Sequence, residues 1–229
     1  MTDLGLVIGN KNYSSWSMRP WVALRQAGIP FEEVQLWFDD NGRARGAERY
    51  SPTGQVPVLL VEGAPVWDSL AICETAAELF PEKRLWPSDA KARALARSAC
   101  SEMHSGFRSL RGAMPMNIRA FLPGKGMSEA VGRDIRRVVA LWDDCRRRFG
   151  AGSPLLFGQF TVADAYFAPV VMRFLTYAVS LPSAAQDYVE AVRNLPAVAE
   201  WMAAARRETA FVAADEPYAE RKGGGRREA

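Results

Sequence analysis

The chain has 229 residues, 48% hydrophobic and 24% charged, with a formal net charge of +3. That balance supplies enough apolar material for a packed core and excludes a largely disordered chain. The small charge argues against a nucleic-acid partner, which needs a clustered basic face, and no run of about 18 apolar residues is present to span a membrane.

Leu4 to Ile8 is a short apolar run closed by Gly9-Asn10, a strand followed by a loop. Trp16 to Ala27 reads as a helix, with serines at its start and Gly28 as its stop. Phe31 to Phe38 alternates as a second strand, and Asp39 to Gly54 is a polar stretch. Val58 to Val61 is a third strand, and Ala64 to Trp67 a fourth beyond Glu62-Gly63. Ser69 to Phe80 is a helix, and Pro81 to Pro87 a proline-bracketed linker. Beyond it only helical periodicity remains, over Ala90–Ala113, Glu129–Phe149, Val162–Tyr177, Ala184–Asn194 and Ala197–Arg207. The expected architecture is an α/β domain over residues 1–82 and an all-α domain over 88–215. Residues 216–229, with Gly223-Gly224-Gly225, are expected to form a disordered tail. Its last ten residues hold four basic side chains against two acidic ones, so the rest of the chain is close to neutral.

Cysteine use bears on compartment. Cys73, Cys100 and Cys145 are odd in number and form no Cys-x-x-Cys pair, so a disulfide scaffold is not expected and a reducing cytoplasm is. The opening Met-Thr-Asp-Leu-Gly shows no basic segment followed by an apolar one, so no secretory signal is expected. The single histidine, His104, has no ligand-spaced partner, so no metal site is expected.

Three local patterns carry chemistry. Ser14-Ser15-Trp16-Ser17 places hydroxyls at a helix N-terminus directly after a strand, where free N–H groups and the helix dipole favour an anion. Such serines either cap the helix or donate to a bound thiolate and lower its pKa. Gln55-Val56-Pro57 precedes the third strand; a cis Val56–Pro57 bond would turn Val56 so that its N–H and C=O meet an extended ligand. Asp68-Ser69 sits where a strand becomes a helix, either as an N-cap or as a pair that holds an ammonium and a carboxylate. In the helical half, Met103, Phe107, Leu110 and Met114 form a stripe that is either core or pocket wall, with His104, Arg108 and Arg111 beside it. Thr161-Val162-Ala163-Asp164 reads as a structural capping box.

In this order the patterns resemble the cytosolic glutathione S-transferases, over nearly the whole chain. The Ser14–Arg19 stretch is most similar to the serine-type zeta class, which includes maleylacetoacetate isomerases, although Trp16 stands where that class carries a cysteine. The resemblance implies a thioredoxin-like N-terminal domain, a C-terminal helical bundle, a homodimer and glutathione as co-substrate. It implies that Ser14, or its neighbour Ser15, activates the thiol, and that Trp16, Gln55, Val56, Pro57, Asp68 and Ser69 bind glutathione. His104, Phe107, Arg108 and Arg111 would face the second substrate. The activity it implies is conjugation of the thiolate to a small hydrophobic electrophile. The alternatives are glutathione-dependent cis–trans isomerisation and a non-catalytic ligand-binding module. With no cysteine in the active turn, a mixed disulfide is not part of this reading.

Overall fold

The computed structural model describes residues 3–219. Strand β1 (Leu4–Ile8) leads into helix α1 (Ser15–Gln26), which returns to β2 (Glu32–Gln35), paired parallel to β1 with Gly5 opposite Glu32. The chain then reaches β3 (Val58–Val61), antiparallel to β1, and turns back through Glu62-Gly63 into β4 (Ala64–Trp67). Both turn residues have positive φ, 50° and 83°, the conformation whose twist suits a two-residue hairpin. The sheet order is β2-β1-β3-β4. Helix α2 (Ser69–Leu79) completes the first domain.

The second domain is helical: α3 (Ala90–Ser105), α4 (Arg108–Ala113), α5 (Glu129–Phe149), α6 (Val162–Thr176), α7 (Ser183–Arg193) and α8 (Pro196–Arg207). Its centre is Trp142 on α5, fully buried against Phe167, Phe174 and Tyr188. The capping box forms: the Asp164 carboxylate accepts from Thr161 N at 2.9 Å and Leu156 N at 3.2 Å. Helix α1 joins the two halves, and its Trp21 meets Trp201 of α8 edge-on at 5.2 Å between ring centres.

Three expectations are corrected. The second strand ends at Gln35 rather than Phe38, because the edge chain peels away: Asp39 N donates to Arg43 O and Arg45 N to Trp37 O, a small turn of its own. The helix expected over Ala90–Ala113 breaks at Gly106-Phe107. Gly106 N closes α3 on Glu102 O, Phe107 turns left-handed (φ 54°), and Asp134 of α5 accepts the Leu110 N–H of the next helix. The linker is packed, with Leu85 and Trp86 buried and Leu85 O accepting from Val162 N. Residues 216–219, placed in the disordered tail, fold back: Tyr218 Oη donates to Ala113 O at 2.7 Å, and Tyr13 Oη to Glu216. Residues 220–229 of that tail lie outside the described residues.

Candidate active site

A cleft of about 1350 Å³ lies between the domains. Its floor is the β1–α1 turn. Gly9 N donates to Ser17 Oγ at 3.1 Å, and Ser14 N to Asn10 O at 2.8 Å. A Cβ at Gly9 would sit 2.3 Å from the Phe38 ring, so any side chain there would displace that ring. The loop is then clamped by the helical domain. The Lys11 and Asn12 N–H groups donate to the Glu208 carboxylate at 2.6 and 3.0 Å. Asn12 exchanges side-chain bonds with Asn117 and Arg119 N, and Trp201 Nε1 donates to Lys11 O. Tyr13 lines the cleft, but its hydroxyl faces Ala210 O, Glu216 and Arg119, and burial first and then Glu216 push it up to about 12.

Ser14 is the N-cap of α1. Its Oγ accepts from Ser17 N at 3.3 Å and donates to Ser17 Oγ at 2.8 Å. Ser15 Oγ accepts from the Arg173 guanidinium at 3.3 Å. Further along the cleft wall, the Val56–Pro57 bond is cis. Asp68 caps α2, accepting from Leu70 N at 2.8 Å, and holds an unusual φ of 75°. Its other oxygen lies 3.3 Å from His104 Nε2. Ser69, almost fully buried, shares a 2.8 Å hydrogen bond with Tyr166, whose hydroxyl is 3.3 Å from His104 Nδ1. His104 and Tyr166, both from the helical domain, thereby fasten the Asp68-Ser69 corner.

The electrostatics of the serine turn are cationic. Arg19 is buried, with its guanidinium 4.2 Å from the centre of the Trp16 ring and 4.6 Å from that of Tyr166. Arg111 lies 4.7 Å from the same Trp16 ring and donates to His104 O and Gly106 O. Among the described residues no carboxylate comes within 4 Å of Arg19, Arg111 or Arg173. Burial lowers the Arg19 pKa to about 10 and that of Arg173 to about 9, so both stay charged at neutral pH. Arg111 is lowered by burial first and by Arg108 second. All three cysteines are buried and free, and burial raises each thiol; Cys145 reaches about 12. None is a ready nucleophile. Among the described residues no group of three or more His, Cys, Asp or Glu is placed to hold a metal ion, and no helix is long and apolar enough to cross a membrane.

Of the residues singled out in the sequence, Ser14, Ser15, Trp16, Gln55, Val56, Pro57, Asp68, Ser69, His104, Arg108 and Arg111 all line this cleft. Phe107 does not: the left-handed turn at that residue sends its ring into the core, where it is 7% exposed. His104 lies nearer the Asp68 corner than its place in the helical half suggested. Sequence reasoning missed Arg19, Tyr166, Arg173 and Asp215. Arg173 carried a signal, a lone cation within the apolar run Pro169-Val-Val-Met-Arg-Phe-Leu175; Tyr166 and Asp215 carried none.

A four-stranded thioredoxin-like sheet joined to a helical bundle, with a serine turn facing the cleft between them, defines a two-domain glutathione-transferase class of architecture. Family comparison agrees: the glutathione S-transferase N-terminal domain matches residues 13–79 and the C-terminal domain residues 128–204, together more than half of the chain. The chain belongs to the glutathione S-transferase family. It is 35% identical over 101 residues to the maleylacetoacetate isomerase of Rattus norvegicus, a match spanning 43% of this chain and 47% of that protein. The chain thus aligns with just under half the length of that relative. It is 29% identical over 174 residues to glutathione S-transferase 1 of Dianthus caryophyllus, covering 71% of this chain and 74% of the relative. Among solved structures, a glutathione transferase homologue from Burkholderia with bound glutathione superposes with a TM-score of 0.70 at 23% identity, over 90% of this chain and all of that one.

Proposed function

We propose that the protein is a glutathione transferase whose cleft holds glutathione extended along the first domain. Asp68 takes the γ-glutamyl ammonium, and Ser69 with the N-terminus of α2 takes its carboxylate. Val56, beside Pro57, meets the cysteinyl backbone, with Gln55 and Trp16 alongside. The thiol lies at the N-terminal turn of α1, where Ser14 and Ser15 stand. The observation that carries this reading is the set of three guanidiniums around that turn with, among the described residues, no carboxylate within 4 Å, an environment that favours a thiolate over a thiol.

In the reaction the thiol proton leaves to solvent and the thiolate attacks an electrophilic carbon. A C–S bond forms, and the leaving group departs with its bonding pair. Arg108 and Arg111 border the space for the second substrate, while His104 stays at the Asp68 corner, where glutathione binds. Positioning and a lowered thiol pKa supply the catalysis. A second reading is favoured by the same arginines and by the isomerase relatives. Here the thiolate adds to a conjugated double bond of an unsaturated acid, the carbon–carbon bond rotates, and elimination returns the thiolate with no net use of glutathione. Homodimerisation and a cytoplasmic setting belong to the same proposal and rest on the family alone.

Two assays test it. Glutathione-agarose should retain the wild type and release Ser69→Ala. With glutathione present, an aryl halide should be consumed one-for-one with the thiol, whereas turnover of maleylacetoacetate at constant glutathione selects the isomerase. Failure of the wild type to bind glutathione overturns both readings.

A further inference from the structure

The two serines of the turn are in different chemical states. The Ser14 hydroxyl proton goes to Ser17 Oγ, which also takes the Gly9 N–H, so Ser14 works inside the turn. Ser15 Oγ accepts from Arg173, and among the described residues its own proton has no acceptor. Both Ser15 and Arg173 line the cleft. Arg173 is 4% exposed and reaches Ser15 from α6, across the domain boundary. Its other nitrogens are fixed, Nε on Met114 O at 2.9 Å and one terminal nitrogen on Pro169 O at 3.2 Å. A fork held at two carbonyls presents its remaining N–H in one direction. A cationic donor on a hydroxyl oxygen does two things: it occupies a lone pair, which turns the hydroxyl proton away from the cation, and it makes that hydroxyl a stronger donor.

Resting on the reading that the cleft binds glutathione, we propose that Ser15 rather than Ser14 donates to the glutathione thiolate, and that Arg173 is the positioning residue that aims and polarises the Ser15 hydroxyl. No bond to Ser15 is made or broken. The thiol gives its proton to solvent, and Ser15 keeps its own and donates it as a hydrogen bond to sulfur. Arg19 completes the site from beneath: it is fully buried, and Nε and one terminal nitrogen have no hydrogen-bond partner among the described residues. It adds positive potential without touching the ligand.

The test is the ultraviolet titration of the thiolate of glutathione bound to the full-length protein, in wild type, Ser14→Ala, Ser15→Ala, Arg173→Met, Arg173→Lys and the double variant Ser15→Ala/Arg173→Met. Ser15→Ala and Arg173→Met should each raise the titration midpoint by about one unit, roughly a tenfold loss of thiolate near neutrality. The double variant should shift by less than the sum of the two single shifts, because Arg173 acts in part through that hydroxyl and in part through its charge. Arg173→Lys, which keeps the charge, should shift less than Arg173→Met. A merely structural Arg173 would lower stability without moving the midpoint. The proposal is overturned if Ser14→Ala moves the midpoint and Ser15→Ala does not, or if the two effects add in the double variant. If Arg173→Met fails to fold, Ser15→Ala, a small change at the turn, and Arg173→Lys still decide. A wild type that binds glutathione but shows no lowered midpoint defeats this proposal alone; one that binds none defeats the parent reading as well.

Discussion

Glu208 follows α8, almost 200 residues from the turn it holds. Its carboxylate accepts from Lys11 N at 2.6 Å, Asn12 N at 3.0 Å and Gln35 Nε2 at 2.6 Å, and it is 9% exposed. Lys11 and Asn12 are themselves buried, so Glu208→Ala leaves two backbone donors without partners where water enters poorly. Each such donor costs about 1–3 kcal/mol, and with some relaxation the pair costs about 3 kcal/mol. For a chain of this length that is a fall in melting midpoint of roughly 6–12 °C. Glu208→Gln should fall between, because one amide oxygen still accepts while the amide nitrogen meets a donor. The loop also runs directly into Ser14, so the KM for glutathione should rise in the same order. Calorimetric melting and glutathione saturation curves on the three proteins read both effects. A Glu208→Ala midpoint within about 1 °C of wild type would refute the view that this carboxylate holds the turn.

The Asp68 corner and the capping box give two more. Tyr166→Phe removes the hydroxyl shared by Ser69 and His104, so stability should drop by about 1 kcal/mol and the glutathione KM should rise severalfold with kcat changed less; initial rates over a glutathione series separate the two. Asp164 is fully buried, and burial raises its carboxyl to about 6 despite the backbone bonds it accepts. Between about pH 4 and 6 the folded state therefore binds a proton that the unfolded chain releases, so this group's contribution to stability is largest at acid pH and declines as pH rises through about 6. Urea unfolding of wild type and Asp164→Asn across that window should show the steeper decline in the wild type, since Asp215, raised to about the same value, declines in both; parallel curves would contradict it.

What the sequence disclosed and what it hid follow from distance along the chain. Gln55-Val56-Pro57, Asp68-Ser69 and Thr161–Asp164 are local signals: capping and strand entry depend on residues two or three apart, and each sits where the pattern placed it. The break at Gly106-Phe107 escaped because Met103, Phe107, Leu110 and Met114 keep helical spacing across it, and all four are core. A left-handed residue between two helices leaves that apolar periodicity almost intact. Nothing local links Arg19, Arg111 and Arg173, which meet only through the packing of α1, α4 and α6. The same holds for Glu208 and for Asp215, which reaches the cleft from the returning C-terminal segment with its carboxyl raised by burial to about 6. Trp16, a departure from the zeta pattern when read in line, acquires a role in three dimensions: its indole is the surface against which Arg19, Arg111 and His104 pack.

Glutathione should bind in this cleft as an anion at sulfur. Titration calorimetry of wild type with glutathione, run at neutral pH in two buffers of different ionisation enthalpy, counts the protons released on binding. Glutathione should release close to one proton, and S-methylglutathione, which has no thiol to ionise, should release none. Equal proton counts for the two ligands would contradict thiolate binding, and no heat with either would contradict glutathione binding itself.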